Sequence, residues 1–195
     1  ERSNGFHAAD LLGQMGPRAE AAIPALIELL RGKEGYARDS AIEALWAMGP
    51  SARAAIPGLL ELLKGDPRTE VVRTLGMIGP AAIPPLTDLL KHDKWEMRKA
   101  AIYTLGKMGK DARDAVWEIA ELSQDAGWQV RHAVAEALGN IGPEAKAAIP
   151  AIKELLGDED HKVQAAAVVA LARLCPETID DAVAEFSKWL EHAYW

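Results

Sequence analysis

The chain has 195 residues, a formal net charge of -7, 49% hydrophobic but only 6% aromatic residues, and one cysteine. That acidity argues against broad binding to phosphate backbones, which depends on clustered Lys and Arg. A single cysteine excludes an intrachain disulfide, and there is no uninterrupted apolar run of about 18 residues to cross a membrane.

Taken in order, the chain repeats a punctuation. Gly-Pro stands at Gly16-Pro17, Gly49-Pro50, Gly79-Pro80 and Gly142-Pro143, with Gly109-Lys110 and Cys175-Pro176 in the same slot. Successive slots are 33, 30, 30, 33 and 33 residues apart, a period that marks stacked supersecondary units. Glycine ends one helix in the left-handed conformation and proline opens the next. Seven residues after the slot comes an apolar-proline pair, Ile23-Pro24, Ile56-Pro57 or Ile149-Pro150, with Val116-Trp117 as a variant. Ile83-Pro84 follows its slot by only four, so three residues are missing from the start of that helix.

The elements expected from this register are a helix over 5–16 that forms half a unit, helix pairs over 18–49, 51–79, 81–109, 111–142 and 144–175, and a closing helix over 178–192. Trp189, Tyr194 and Trp195 would cover the open end of the stack, as terminal repeats must. Nothing reads as a strand. The expected fold is an all-α solenoid of about five helix pairs, with a half unit at each end, forming one domain over 1–195. The chain begins at Glu1 with no apolar leader, which reads as a fragment or processed product, and its lone Cys175 suits a reducing compartment such as the cytoplasm.

Within each first helix the proline predicts a kink or a late start. Trp117 should leave its helix straighter, and Pro84-Pro85 should disturb theirs most. Eleven residues before the later slots lies Arg38, Arg68, Arg98, Arg131 or, last, Gln164. Counted from this residue as zero, positions three, four, seven and ten are apolar in every unit and form the core face. Positions one, five and nine vary: Asp39, Glu43, Ala47; Thr69, Arg73, Met77; Lys99, Tyr103, Lys107; His132, Glu136, Asn140; Ala165, Val169, Arg173. Position eight is glycine or alanine except at Trp46. Glycine inside a helix costs about 1 kcal/mol relative to alanine, so its recurrence predicts close approach of a neighbouring helix.

The segment from Val130 to Leu156, which contains Ala-Leu-Gly-Asn-Ile-Gly-Pro-Glu-Ala-Lys-Ala-Ala-Ile-Pro-Ala-Ile-Lys-Glu-Leu-Leu, resembles the HEAT repeat, in the short bacterial subtype named after phycobilisome lyases. The resemblance extends over essentially the whole chain. It implies a right-handed superhelix of antiparallel helix pairs, with second helices lining a concave binding face.

On that implication the variable stripe is the binding face, and the loop before each Arg slot joins its rim. Aromatics collect there: Tyr36, Trp95 and Trp128, with Tyr103 on the stripe. Large rings with one polar group dominate interface energetics. Tyr36, Arg73, Trp95, Lys99, Tyr103, Lys107, Trp128 and His132 are therefore the candidate contacts for a protein or peptide partner, with a place as a subunit of a larger complex left open. The bland alternative is that each indole packs over its own loop.

Catalytic readings are weaker. The Arg column has acids shortly before it, Glu34, Asp66, Asp93 and Asp125, and a loop-to-helix charge pair accounts for it without a ligand. The five histidines fall in different units and form no HExxH or His-Glu pair, so no metal or other cofactor is expected. This separates the chain from the HEAT-like deoxyhypusine hydroxylases, which use paired His-Glu motifs. Cys175 has no nearby base and reads as a packed thiol. Two alternatives to a non-catalytic scaffold come from the resemblance: a lyase-type or binding subunit for open-chain tetrapyrroles (bilins), and nucleic-acid recognition like that of HEAT-like alkylation-repair glycosylases, which the net acidity opposes.

Overall fold

The computed structural model describes residues 11–12, 15–32, 35–65 and 68–175. The closing helix over 178–192 with its aromatic cap, most of the opening half unit, and the acids Glu34 and Asp66 lie outside the described residues. Among the described residues there is no strand, and ten α-helices follow one another: α1 (Ile23–Arg31), α2 (Gly35–Met48), α3 (Ile56–Gly65), α4 (Thr69–Ile78), α5 (Ile83–Asp88), α6 (Trp95–Met108), α7 (Val116–Glu121), α8 (Trp128–Ile141), α9 (Ile149–Glu154) and α10 (His161–Leu174). Odd-numbered helices are the first of each pair and even-numbered ones the second. The architecture is the all-α helical-repeat one expected.

The chain divides into two compact units, 1–86 and 87–195. In the first, α1 packs against α2 and α3, and α2 against α4. In the second, α6 packs on α8 and α8 on α10 in one layer, with α7 and α9 in the other. Each unit is thus a two-layer stack in which hairpins follow one another in sequence order. The core face is the one that the spacing selects: Ala41, Leu45, Ala101, Ile102, Leu105, Val134, Leu138, Ala167 and Leu171 are all at most 1% exposed.

The hinges have the expected conformation. Gly49, Gly79, Gly109 and Gly142 have φ of 54°, 89°, 57° and 82°, where a Cβ is strained. Cys175 occupies the same slot with φ of -142°, an extended backbone open to any residue, so this slot does not need glycine. Its thiol is buried, as a packed cysteine should be.

After each hinge the chain forms a 3-10 helix before the α-helix begins: Gly49–Ala55, Gly109–Ala115 and Gly142–Ala148. Ala52, Ala55, Ala112, Ala115, Ala145 and Ala148 from these segments are at most 1% exposed. Alanine at these positions allows the tight turns to approach the core closely. The short repeat keeps only Pro80–Ala82 of this segment, which is where its missing residues were expected.

Each proline falls in the first turn of its α-helix, the late start foreseen. There the backbone N–H has no intrahelical acceptor, so its absence costs little. Two expectations fail. The helix with Trp117 breaks from 3-10 to α at Val116 like the others, because the break is set by the alanine-rich 3-10 segment and not by proline. Pro84-Pro85 leave α5 six residues long, the same as α7 and α9, since Pro85 still lies within the first turn.

Candidate protein-binding face

The Arg column fixes the loops that lead into the candidate helices; Tyr36, Trp95 and Trp128, expected in those loops, stand instead in the first turns of α2, α6 and α8. Arg98 donates Nη1 to the carbonyls of His92 (2.8 Å) and Asp93 (2.9 Å) in its own loop, and Nε and Nη2 to Asp125 Oδ2 (2.7 Å) and Oδ1 (3.0 Å). Arg131 repeats this one unit on, with Nη1 on the carbonyls of Asp125 and Ala126, and Nε and Nη2 on Asp158 at 2.6 and 2.9 Å. The forked guanidinium suits this double task, since it grips a carboxylate with two parallel bonds and keeps further donors free.

This corrects the expected pairing. Asp125 does not pair with the Arg131 that follows it; its carboxylate serves Arg98 of the preceding unit, and Arg131 takes only its backbone carbonyl. Arg68 runs the other way, pairing with Asp39 on the second helix of the preceding repeat at 2.6 Å. In a stack the guanidinium sits at the junction of two units, so carboxylate and carbonyl come from different repeats. Gln164 keeps the carbonyl half of the role by donating Nε2 to Asp158 O at 2.6 Å.

Burial pushes the Asp125 and Asp158 carboxyls up. The hydrogen bonds from Arg98 and Arg131, the backbone N–H groups of Gly127 and Asp160, and the guanidinium charges outweigh it, and both are held below the usual carboxylate range. The same carboxylates shape the helix starts. Asp125 Oδ1 accepts from Gly127 N (2.9 Å), one residue before Trp128, and Asp158 Oδ1 accepts from Asp160 N (2.9 Å). Asp160 then caps α10 by accepting from Lys162 N at 2.8 Å.

On α6 the candidates Trp95, Lys99, Tyr103 and Lys107 recur every fourth residue and so share one face. Trp95 is 37% and Tyr103 47% exposed. Lys99 Nζ is 6.0 Å from the Trp95 ring centre and Lys107 Nζ 5.2 Å from that of Tyr103. Trp128, half-buried at the start of α8, carries Lys162 Nζ at 4.8 Å over its ring. His132 Nδ1 lies 3.5 Å from Glu136 Oε2, one turn along the same helix. In the first unit Tyr36 is 71% exposed on α2 and Arg73 is exposed on α4.

A groove of about 500 Å³ opens over the second helices of the second unit. Its polar wall is Lys107, His132, Glu136, Asn140, Lys162 and Arg173, and its floor includes Gly139, Ala166 and Ala170. Of the eight candidates it brings together Lys107 and His132. Glu136, Asn140 and Arg173 belong to the variable stripe but carried no aromatic signal to single them out. Lys162 escaped notice because it lies two residues before the Gln164 slot, outside the stripe, and only its capped helix start aims it back at Trp128. Among the described residues no three His, Cys, Asp or Glu converge as a metal site, and no helix is long and apolar enough to cross a membrane.

The sequence pattern of HEAT repeats matches residues 56–126 and 116–193, and that of the PBS lyase HEAT-like repeat matches 6–32. No curated protein matches the chain. Among solved structures, the complex of CpcE and CpcF of phycocyanin lyase from Nostoc sp. PCC7120 is similar with a TM-score of 0.58 and 27% identity, over 80% of this chain and 66% of that one. An engineered protein is similar at 0.53 and 23%, over 93% and 92%. A designed armadillo repeat protein in complex with the peptide (KR)4 is similar at 0.54 and 18%, over 86% and 90%. Matched over more than half its length and built of the corresponding helix pairs, this chain belongs to the HEAT-repeat family.

Proposed function

We propose that this chain is a non-catalytic scaffold that holds a protein or peptide segment along the exposed side of its second helices. The observation that carries this is the alternation of aromatic and basic side chains on α6, Trp95-Lys99-Tyr103-Lys107, each ring partly exposed beside a cation. Rings carried on a regular helix offer large contact area at small entropic cost. In the first unit, taken by itself, Tyr36 and Arg73 are the exposed second-helix residues proposed to meet a partner.

Peptides selected against the chain from a random display library test this. Trp95→Ala and Trp128→Ala are expected to weaken their binding by about 1–3 kcal/mol while the thermal transition stays nearly in place, and bound peptide should slow amide exchange in α6 and α8. Equal binding by both variants, or protection confined to the first-helix layer, would sink the reading.

The likeness to the phycocyanin lyase complex favours a second reading, in which the same face holds an open-chain tetrapyrrole. Titrating the purified chain with biliverdin separates the two. A scaffold for peptides leaves the pigment spectrum unchanged, and a saturable red shift lost in Trp128→Ala would establish the tetrapyrrole reading instead.

A further inference from the structure

We infer that the groove over α8 and α10 receives an acidic, extended peptide segment whose carboxylates meet Lys107, Lys162 and Arg173. This rests on the scaffold reading and adds the charge of the partner. The chain carries 29 Asp and Glu against 22 Lys and Arg, so acids to pair with are abundant. The Arg ladder shows such pairing, Arg98 with Asp125 and Arg131 with Asp158. The groove departs from it. Lys107 and Lys162 make no salt bridge with any described residue and lie over Tyr103 and Trp128 instead. Arg173 donates to the neutral amide of Asn140 at 2.6 Å.

The groove's one carboxylate, Glu136, sits beside His132. Three permanent cations therefore face one acid around a concavity, which concentrates positive potential on a chain that is negative elsewhere. An entering carboxylate would gain charge-assisted hydrogen bonds without displacing an existing ion pair. The floor decides the rest of the chemistry. Gly139, Ala166 and Ala170 form a shallow apolar strip, and Val169 beside them is 49% exposed, so small apolar side chains fit between the carboxylates. At about 500 Å³ the space is that of a short segment and not of a duplex. The net charge of -7 further disfavours a polyphosphate.

The test uses fluorescence anisotropy with the full chain and a labelled peptide of alternating glutamate and alanine. Its twin with glutamine for glutamate, the cationic peptide (KR)4, free glutamate and a single-stranded oligonucleotide serve as comparisons. The acidic peptide should bind, the neutral twin should bind about tenfold or more weakly, and Lys107→Gln, Lys162→Gln and Arg173→Gln should each weaken the acidic peptide by about three- to tenfold. Affinity should fall as salt rises from about 50 to 500 mM. Equal binding of the neutral twin, undiminished binding by the triple Gln variant, or displacement of the peptide by the oligonucleotide at lower concentration would overturn the inference. Binding of free glutamate as tight as that of the peptide would reassign the groove to small carboxylates. If library-selected peptides still depend on Trp95 and Trp128 while the acidic peptide fails, the scaffold reading stands and only the charge assignment falls.

Discussion

Asp158→Ala is expected to destabilise the second unit by about 3 kcal/mol, at the lower end of the cost of stranding a buried charge. The Arg131 and Asp158 side chains are only 9% and 6% exposed, so removing the acid leaves a guanidinium desolvated at the junction of two repeats. Glu159, 3.2 Å from Arg131 Nη2 but 86% exposed, limits the loss without replacing the bidentate grip. The double change Arg131→Met with Asp158→Leu should recover most of the stability, because two apolar groups leave no charge uncompensated. Amide exchange resolved by helix is the proper readout, since repeat arrays need not unfold in one step. The single change should speed exchange in α8 and α10 far more than in the first unit. A double variant no better than the single would show that the ladder acts through its carbonyl bonds alone.

The same pair sets an acid limit. Folding holds the Asp125 and Asp158 carboxyls below their ordinary value of 3.8, so their contribution is complete above that value and is lost as pH falls through the lowered folded values. Stability from this source should stay flat down to about pH 4 and decline below it, with a shallower decline in Asp158→Asn.

How much of this was legible beforehand follows from which interactions are periodic. Gly79 and Gly142 announce a left-handed backbone, and Ala101, Ile102 and Leu105 announce a core face, because each unit meets the same neighbour in the same way. The exposed ring of Tyr103 was legible for the same reason, since the stripe is whatever the core spacing leaves out, whereas Trp95 was assigned to the preceding loop and in fact opens the helix. The partner of Arg131 was not, since sequence proximity favours Asp125 and only stacking brings in Asp158, 27 residues on. Lys162 was hidden similarly, as its position over Trp128 spans 34 residues and depends on a cap by Asp160. Trp117 misled because the proline rule was applied where an alanine-rich 3-10 segment already fixed the helix start.

Gly106→Ala is the second large effect, and here two general rules oppose each other. Helix propensity favours alanine by about 1 kcal/mol in an open helix. At Gly106, however, a Cβ would lie 2.7 Å from Ala137 Cα and 2.8 Å from its Cβ. The nearest atom is backbone, so no rotamer change relieves it, and α6 must move off α8. Overpacking of this kind costs about 1–3 kcal/mol, and the net expectation is a loss of about 1–2 kcal/mol. Gly139→Ala meets Ala170 Cα at 3.0 Å and Cβ at 3.2 Å and should cost less. Gly157→Ala meets nothing within 4 Å and should be neutral or stabilising by a few tenths of a kcal/mol. The order of the three under urea is the test. Adding Ala137→Gly to Gly106→Ala should rescue only in part, because it removes the Cβ contact and leaves the tighter one to Cα. Gly106→Ala more stable than the parent would mean that the glycine column does not exist to let neighbouring second helices close upon one another.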